Sequence, residues 1–152
     1  MPAARIRIKI KGETYEVYEE GEPWVAERMG PFDIGTHYAH RVCIRKDGRE
    51  ACTDYHTSVT EYLSGKKYMT EEDLLLAFRA ILEDLSLSLL DFEDLVAELG
   101  LEHDAVKAHR TYEALQEMAE KFFREGIFPR DERALIDLMA ELMCARGGKE
   151  IW

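Results

Sequence analysis

An α+β fold, an N-terminal antiparallel sheet of about four strands followed by four or five helices, is predicted by two hydrophobic periods and one turn. Residues 5–11 alternate strictly between basic and β-branched side chains, the period of a half-buried strand. Asp47-Gly48 lies between two further alternating runs, and this pair is preferred in two-residue type I′ hairpins. From Thr70 onward the apolar residues recur at three- and four-residue spacing, as they do in helices with one buried face. A chain of 152 residues, 46% hydrophobic and 34% charged, can bury a core without cross-links and is expected to form one domain. Its β-rich part covers 1–57 and its helical part 58–147.

The elements follow in order. Arg5 to Lys11 forms a strand with Ile6, Ile8 and Ile10 inward; Lys11-Gly12-Glu13 turns, and Thr14 to Tyr18 returns. Glu19-Glu20-Gly21-Glu22-Pro23 breaks the pattern and is expected to be a loop. Trp24 to Gly35 fits a short strand or a loop, interrupted by Gly30-Pro31. The hairpin from Tyr38 to Lys46 and Arg49 to His56 has a register set by its turn. Ile44 faces Ala51, Val42 faces Thr53 and His40 faces Tyr55 on one side; Arg45 faces Glu50, Cys43 faces Cys52 and Arg41 faces Asp54 on the other. Counting from the turn puts Cys43 and Cys52 at a non-hydrogen-bonded site, with Cα atoms about 4.5 Å apart. Ser58-Val59-Thr60-Glu61 predicts a capping box and a short helical turn.

Four helices are expected next. Thr70 caps the first, Asp91 a short one stopped at Gly100, Asp104 a long one from Ala105 to Glu125, and Asp131 the last, ended by Gly147-Gly148. Their apolar stripes are Leu74, Leu75, Phe78, Ile81, Leu82, Leu85; Phe92, Leu95, Val96, Leu99; Ala108, Tyr112, Leu115, Ala119, Phe122; and Leu135, Leu138, Met139, Leu142.

The stretch Asp91-Phe92-Glu93-Asp94-Leu95 through Leu99-Gly100, then Asp104, Lys107-Ala108 and Thr111-Tyr112, is similar to a family of small phage and prophage proteins. In that family a phenylalanine-acid helix ends in Leu-Gly or Tyr-Gly, and an Asp caps the next helix. Tyr38–Tyr55 and Thr70–Leu76 also resemble its hairpin and the helix start that follows. The likeness covers roughly residues 38–125, so the first hairpin and the helix after Pro129 look like additions. It implies a mobile-element origin and carries no catalytic role, the family being largely of unassigned function.

Charge is the least ordinary property of the chain. The net charge is −11, yet residues 1–70 hold 11 basic and 11 acidic side chains. Residues 71–104 set one basic residue, Arg79, against 11 acids, a net of −10. A solubilised helix surface would account for this. The sharper expectation is a surface that imitates nucleic-acid phosphates and docks, at Glu83, Asp84, Asp91, Glu93, Asp94 and Glu98, on a basic host protein or ribonucleoprotein. The function predicted is therefore a non-enzymatic, anti-CRISPR-like inhibitor of a host nucleic-acid-handling defence complex.

The alternative is a nucleic-acid-binding accessory protein that uses the row Arg5, Arg7, Lys9, Lys11. Glu13, Glu16, Glu19, Glu20 and Glu22 nearby would repel a phosphate backbone, which disfavours direct nucleic-acid binding. Phosphate loops, His-Glu-x-x-His and nucleophile elbows are missing, so no catalytic residue and no cofactor is expected. His37 and His40, three apart on a strand, point to opposite faces. Cys43, Cys52, Asp54 and His56 share a face, but ordinary hairpin side chains are the expectation there, with no metal. Three cysteines and an opening Met1-Pro2-Ala3-Ala4-Arg5 without an apolar stretch suggest a reducing, cytoplasmic setting in the host cell. No run is apolar enough to span a membrane.

Overall fold

The computed structural model describes residues 4–29, 34–58 and 68–148. It is an α+β arrangement: an antiparallel sheet of five strands followed by four helices. The strands are β1 (Arg5–Ile10), β2 (Glu13–Glu19), β3 (Trp24–Met29), β4 (Ile34–Lys46) and β5 (Arg49–Ser58). The helices are α1 (Glu71–Ser88), α2 (Phe92–Leu99), α3 (Ala105–Arg124) and α4 (Glu132–Gly148).

The fifth strand comes from the segment whose sequence left strand and loop open. Trp24–Met29 pairs with the first half of β4, which begins at Ile34 rather than Tyr38. β2 pairs with the second half of the same edge, from Glu16↔Arg45 to Glu19↔Val42. Residues 13–29 thus run along one side of β4 as a strand broken at Glu20–Pro23, while β5 covers the other side from His37↔Ser58 to Lys46↔Arg49. The Ser58–Glu61 turn falls largely in 59–67, outside the described residues, and Ser58 itself closes β5.

Both tight hairpins turn on a residue pair with positive φ, Lys11 (53°) with Gly12 (76°) and Asp47 (51°) with Gly48 (78°). Positive φ at both central positions is what a type I′ turn requires. The registers agree with the count from Asp47-Gly48, including Cys43↔Cys52 and the charge pairs Arg45↔Glu50 and Arg41↔Asp54. Each helix starts where its cap predicts. Thr70 accepts from Asp73 N and Asp73 returns the bond, Asp91 accepts from Asp94 N, and Asp104 accepts from Lys107 N. Asp131 Oδ1 accepts from Arg133 N. Gly100, at φ 67°, ends α2 in the left-handed conformation that glycine adopts without strain.

One face of the sheet carries the core. Ile6, Ile8, Ile10, Tyr15, Val17, Val42, Ile44 and Ala51 meet Phe78, Leu82 and Leu85 of α1, Phe122 of α3 and Leu135, Leu138 and Leu142 of α4 in a single cluster. The first hairpin and the last helix are therefore part of the main core, although they lie outside the stretch with the phage-like resemblance. α2 is a satellite: Leu95 is buried, and Phe92 stacks on His109 (4.6 Å between ring centroids) and meets Tyr112 edge-on at 5.4 Å. Leu99, expected inward, is 37% exposed. A helix of eight residues laid on α3 buries the middle of its apolar side and leaves its end in water.

Candidate functional site

The acidic surface is built on the end of α1 and on α2. Glu83, Asp91, Glu93, Asp94 and Glu98 are exposed. Glu83 accepts from Arg79 Nε one turn earlier, at 3.3 Å. Asp91 spends one oxygen on the α2 cap. The side chains of Glu93, Asp94 and Glu98 make no salt bridge or hydrogen bond among the described residues. Negative charge in the first turn of α2 also suits the helix dipole. These carboxylates thus sit on the water side of a helix whose other side is fixed by Leu95 and Phe92.

Asp84 is placed differently. It lies seven residues from Ala77 and four from Ser88, so helical geometry puts it on their flank of α1, beside the core stripe. Burial, and then repulsion from Glu83, push its carboxyl up to about 6. The charged form is thus disfavoured by folding. Stability from this group is complete below the ordinary carboxylate range and is lost as pH rises through about 6. Asp84→Asn should stabilise the protein by about 2 kcal/mol at pH 7.5 and by almost nothing near pH 4, read from urea unfolding at the two values. An equal gain at both pH values would show that removal of the charge is not the cause.

The basic row of β1 is largely neutralised in place. Arg5 is hydrogen-bonded to Glu16, and Arg7 Nη2 lies 4.0 Å from the same carboxylate. Lys11 meets Glu141 of α4 at 3.6 Å. Arg5 also covers the Tyr18 ring, its guanidinium carbon 4.3 Å from the centroid, with Arg45 on the same ring at 5.5 Å. The outer sheet face is a lattice of alternating charges around a buried tyrosine, and only Lys9 in the row makes no ion pair among the described residues.

Under Tyr18 on that face lie Cys43 and Cys52, joined as a disulfide with Cα atoms 4.0 Å apart. The bend after β2 delivers Glu20 to the pair, its N–H held by Arg41 O at 2.8 Å. Glu20 Oε2 lies 3.1 Å from Cys43 Sγ and 3.8 Å from Cys52 Sγ, and Glu50 Oε1 lies 3.9 Å from Cys52 Sγ. The four side chains Glu20, Cys43, Glu50 and Cys52 each place one ligand atom within 4.8 Å of the others. Asp54 and His56, the neighbours suggested by face parity alone, are not in this group; Asp54 faces Arg41 at 3.9 Å.

On the core face, His40 Nδ1 and Glu19 Oε2 are 2.7 Å apart, and Glu19 Oε1 accepts from Met69 N at 2.8 Å. Both side chains are almost completely buried. The sequence pattern had assigned Glu19 to a loop, yet it shares parity with Tyr15 and Val17, which turn inward. A cleft of about 580 Å³ opens between the first hairpin turn and the α3–α4 junction, floored by Tyr15, Phe123 and Phe128. Its cations Lys11, Lys46 and Arg130 are engaged by Glu141, Glu13 and Glu120. No described helix is long and apolar enough to cross a membrane. Family models, curated proteins and solved structures yield no match to this chain.

Proposed function

We propose that this is a non-enzymatic binding protein of phage or mobile-element origin that inhibits a host nucleic-acid-handling defence complex, in the manner of anti-CRISPR proteins. The observation that carries the reading is the acidic surface: Glu83, Asp91, Glu93, Asp94 and Glu98 exposed together, with Arg79 as the one basic residue between 71 and 104. Like charges within one or two helical turns repel, and a surface serving only solubility relieves this by interleaving lysines. A groove that binds nucleic-acid phosphates supplies the complementary charge, and such surfaces accelerate encounter as well as affinity. The phage-like stretch over residues 38–125 supports the origin. The pairing of Arg5 and Arg7 with Glu16 leaves the β1 row poorly suited to a phosphate backbone.

The test is interference with target-DNA binding by CRISPR effector complexes. The neutralised variant Glu83→Gln, Asp84→Asn, Asp91→Asn, Glu93→Gln, Asp94→Asn should fold, since Asn caps a helix as well as Asp does. It should inhibit at least roughly tenfold less well, about 1.4 kcal/mol, and wild-type inhibition should weaken with added salt. Equal inhibition by the two proteins would sink the proposal. A salt-sensitive shift of free oligonucleotides, abolished by charge reversal at Arg5, Arg7 and Lys9, would favour a nucleic-acid binder instead.

A further inference from the structure

We propose that the reduced protein binds one Zn²⁺ ion on the outer face of the sheet through Cys43, Cys52, Glu20 and Glu50. The ligand types are those of tetrahedral zinc sites, and thiolates select zinc over magnesium and calcium. Three separate pieces of chain supply them: the bend after β2, the second half of β4 and the start of β5. Their ligand atoms already converge within 4.8 Å.

The backbone is prepared for this. Cys43 and Cys52 are directly opposed with Cα atoms 4.0 Å apart, so both sulfurs emerge on one side. A zinc ion at 2.3 Å from each thiolate needs the sulfurs about 3.8 Å apart in tetrahedral geometry. Rotation about the two Cα–Cβ bonds provides that separation once the disulfide is opened. Glu20 is held by its own backbone bond to Arg41 O. Glu50 aims Oε1 at Cys52 Sγ while Oε2 accepts from Arg45 Nη2 at 2.9 Å. One oxygen can therefore take the metal while the other keeps the hydrogen bond that orients it, the usual support for a metal-bound carboxylate. Cys43 is fully buried under Tyr18, whereas Glu20 is exposed, so the ion enters from the carboxylate side.

Two carboxylates beside two thiolates are also a poor arrangement without a divalent cation. When the sulfurs are thiols, the carboxylates are satisfied by S–H donors; when they are thiolates, four negative groups crowd one spot. A divalent cation removes that repulsion and displaces two protons. Opening the disulfide takes two electrons and two protons. A cytosolic dithiol reductant supplies both and leaves as its own disulfide; the two protons on Cys43 and Cys52 are then released as Zn²⁺ binds. The oxidised protein offers only the two carboxylates, so binding is gated by the thiol–disulfide state.

The experiment uses full-length protein, reduced under anaerobic conditions and titrated with Co²⁺ and then Zn²⁺. Co²⁺ should give sulfur-to-metal charge-transfer absorption in the near ultraviolet, bleached by one equivalent of Zn²⁺. Competition against a chromophoric chelator should give one Zn²⁺ per chain. Cys43→Ser and Cys52→Ser should abolish binding, Glu20→Gln and Glu50→Gln should each weaken it about tenfold or more, and Cys144→Ser and His56→Ala should leave it unchanged. The oxidised wild type is the control that needs no substitution and should bind at least a hundredfold more weakly. Zn²⁺ should raise the melting temperature of the reduced protein only. Failure of the reduced wild type to compete with the chelator overturns the proposal, as does binding that survives in Cys43→Ser. Full affinity in both Glu variants overturns the four-ligand assignment.

Discussion

Glu19→Ala should destabilise the protein by about 3–5 kcal/mol, the loss expected when one partner is removed from a buried hydrogen-bonded pair. The Glu19 carboxylate is shared by His40 Nδ1 at 2.7 Å and Met69 N at 2.8 Å. It therefore ties the end of β2 to β4 and to the residue just before the α1 cap. Truncation takes the acceptor from the Met69 amide and the Glu19 contact from His40 Nδ1 in a buried site, and a buried polar group that loses its partner costs about 1–3 kcal/mol. Glu19→Gln keeps an oxygen for the Met69 amide and should lose less. Urea unfolding followed by circular dichroism reads the difference, and the Met69 amide should exchange with solvent faster in the Ala variant. A stability within about 1 kcal/mol of wild type, which surface substitutions give, would show that the contact does not hold the start of α1.

What the sequence reveals depends on how far apart the cooperating residues lie. The β4–β5 register was legible because Asp47-Gly48 fixes it within a few residues on either side, and a slip by one would put Val42 and Ile44 in water. Caps and stripes of α1 to α4 are local for the same reason. β3 was not legible: its stability comes from β4, and neither Trp24–Met29 nor Ile34–His37 shows clean alternation. Glu19 was misplaced because two adjacent glutamates and Gly21 signal a loop, while continuing the β2 parity turns it inward. Among the site residues, the exposure of Glu83, Asp91, Glu93, Asp94 and Glu98 follows from helical period, but the partial burial of Asp84 depends on what packs along the flank of α1. The approach of Glu20 to Cys43 and Cys52 needs the β2–β4 pairing, which joins strands that have β3 between them in the sequence.

Phe128→Ala should cost about 3–5 kcal/mol, as large a loss as a single core truncation gives, and should release the last helix first. Phe128 lies in the link between α3 and α4 and is 2% exposed. Its ring stacks on Tyr15 of β2 at 5.2 Å and meets Phe78 of α1 at 5.7 Å, with Phe122 of α3 at 6.1 Å. Tyr15 and Phe78 close the triangle edge-on at 5.5 Å. Burial first, and then Glu13 and Asp47, push the Tyr15 hydroxyl up to about 12. Each such aromatic contact adds about 0.5–1.5 kcal/mol beyond area burial. One ring therefore joins the first hairpin, the central helices and the chain leading into α4. Leu135, Leu138 and Leu142 of α4 dock on the same cluster, so loss of Phe128 loosens the anchor of α4 before the β4–β5 hairpin opens. With total stability in the usual range of about 5–15 kcal/mol, the variant should be partly unfolded or melt far lower. Hydrogen exchange should show α4 deprotected ahead of β4. If Phe128→Ala unfolds uniformly at near wild-type stability, the ring cluster is not the joint between the two outer segments and the core.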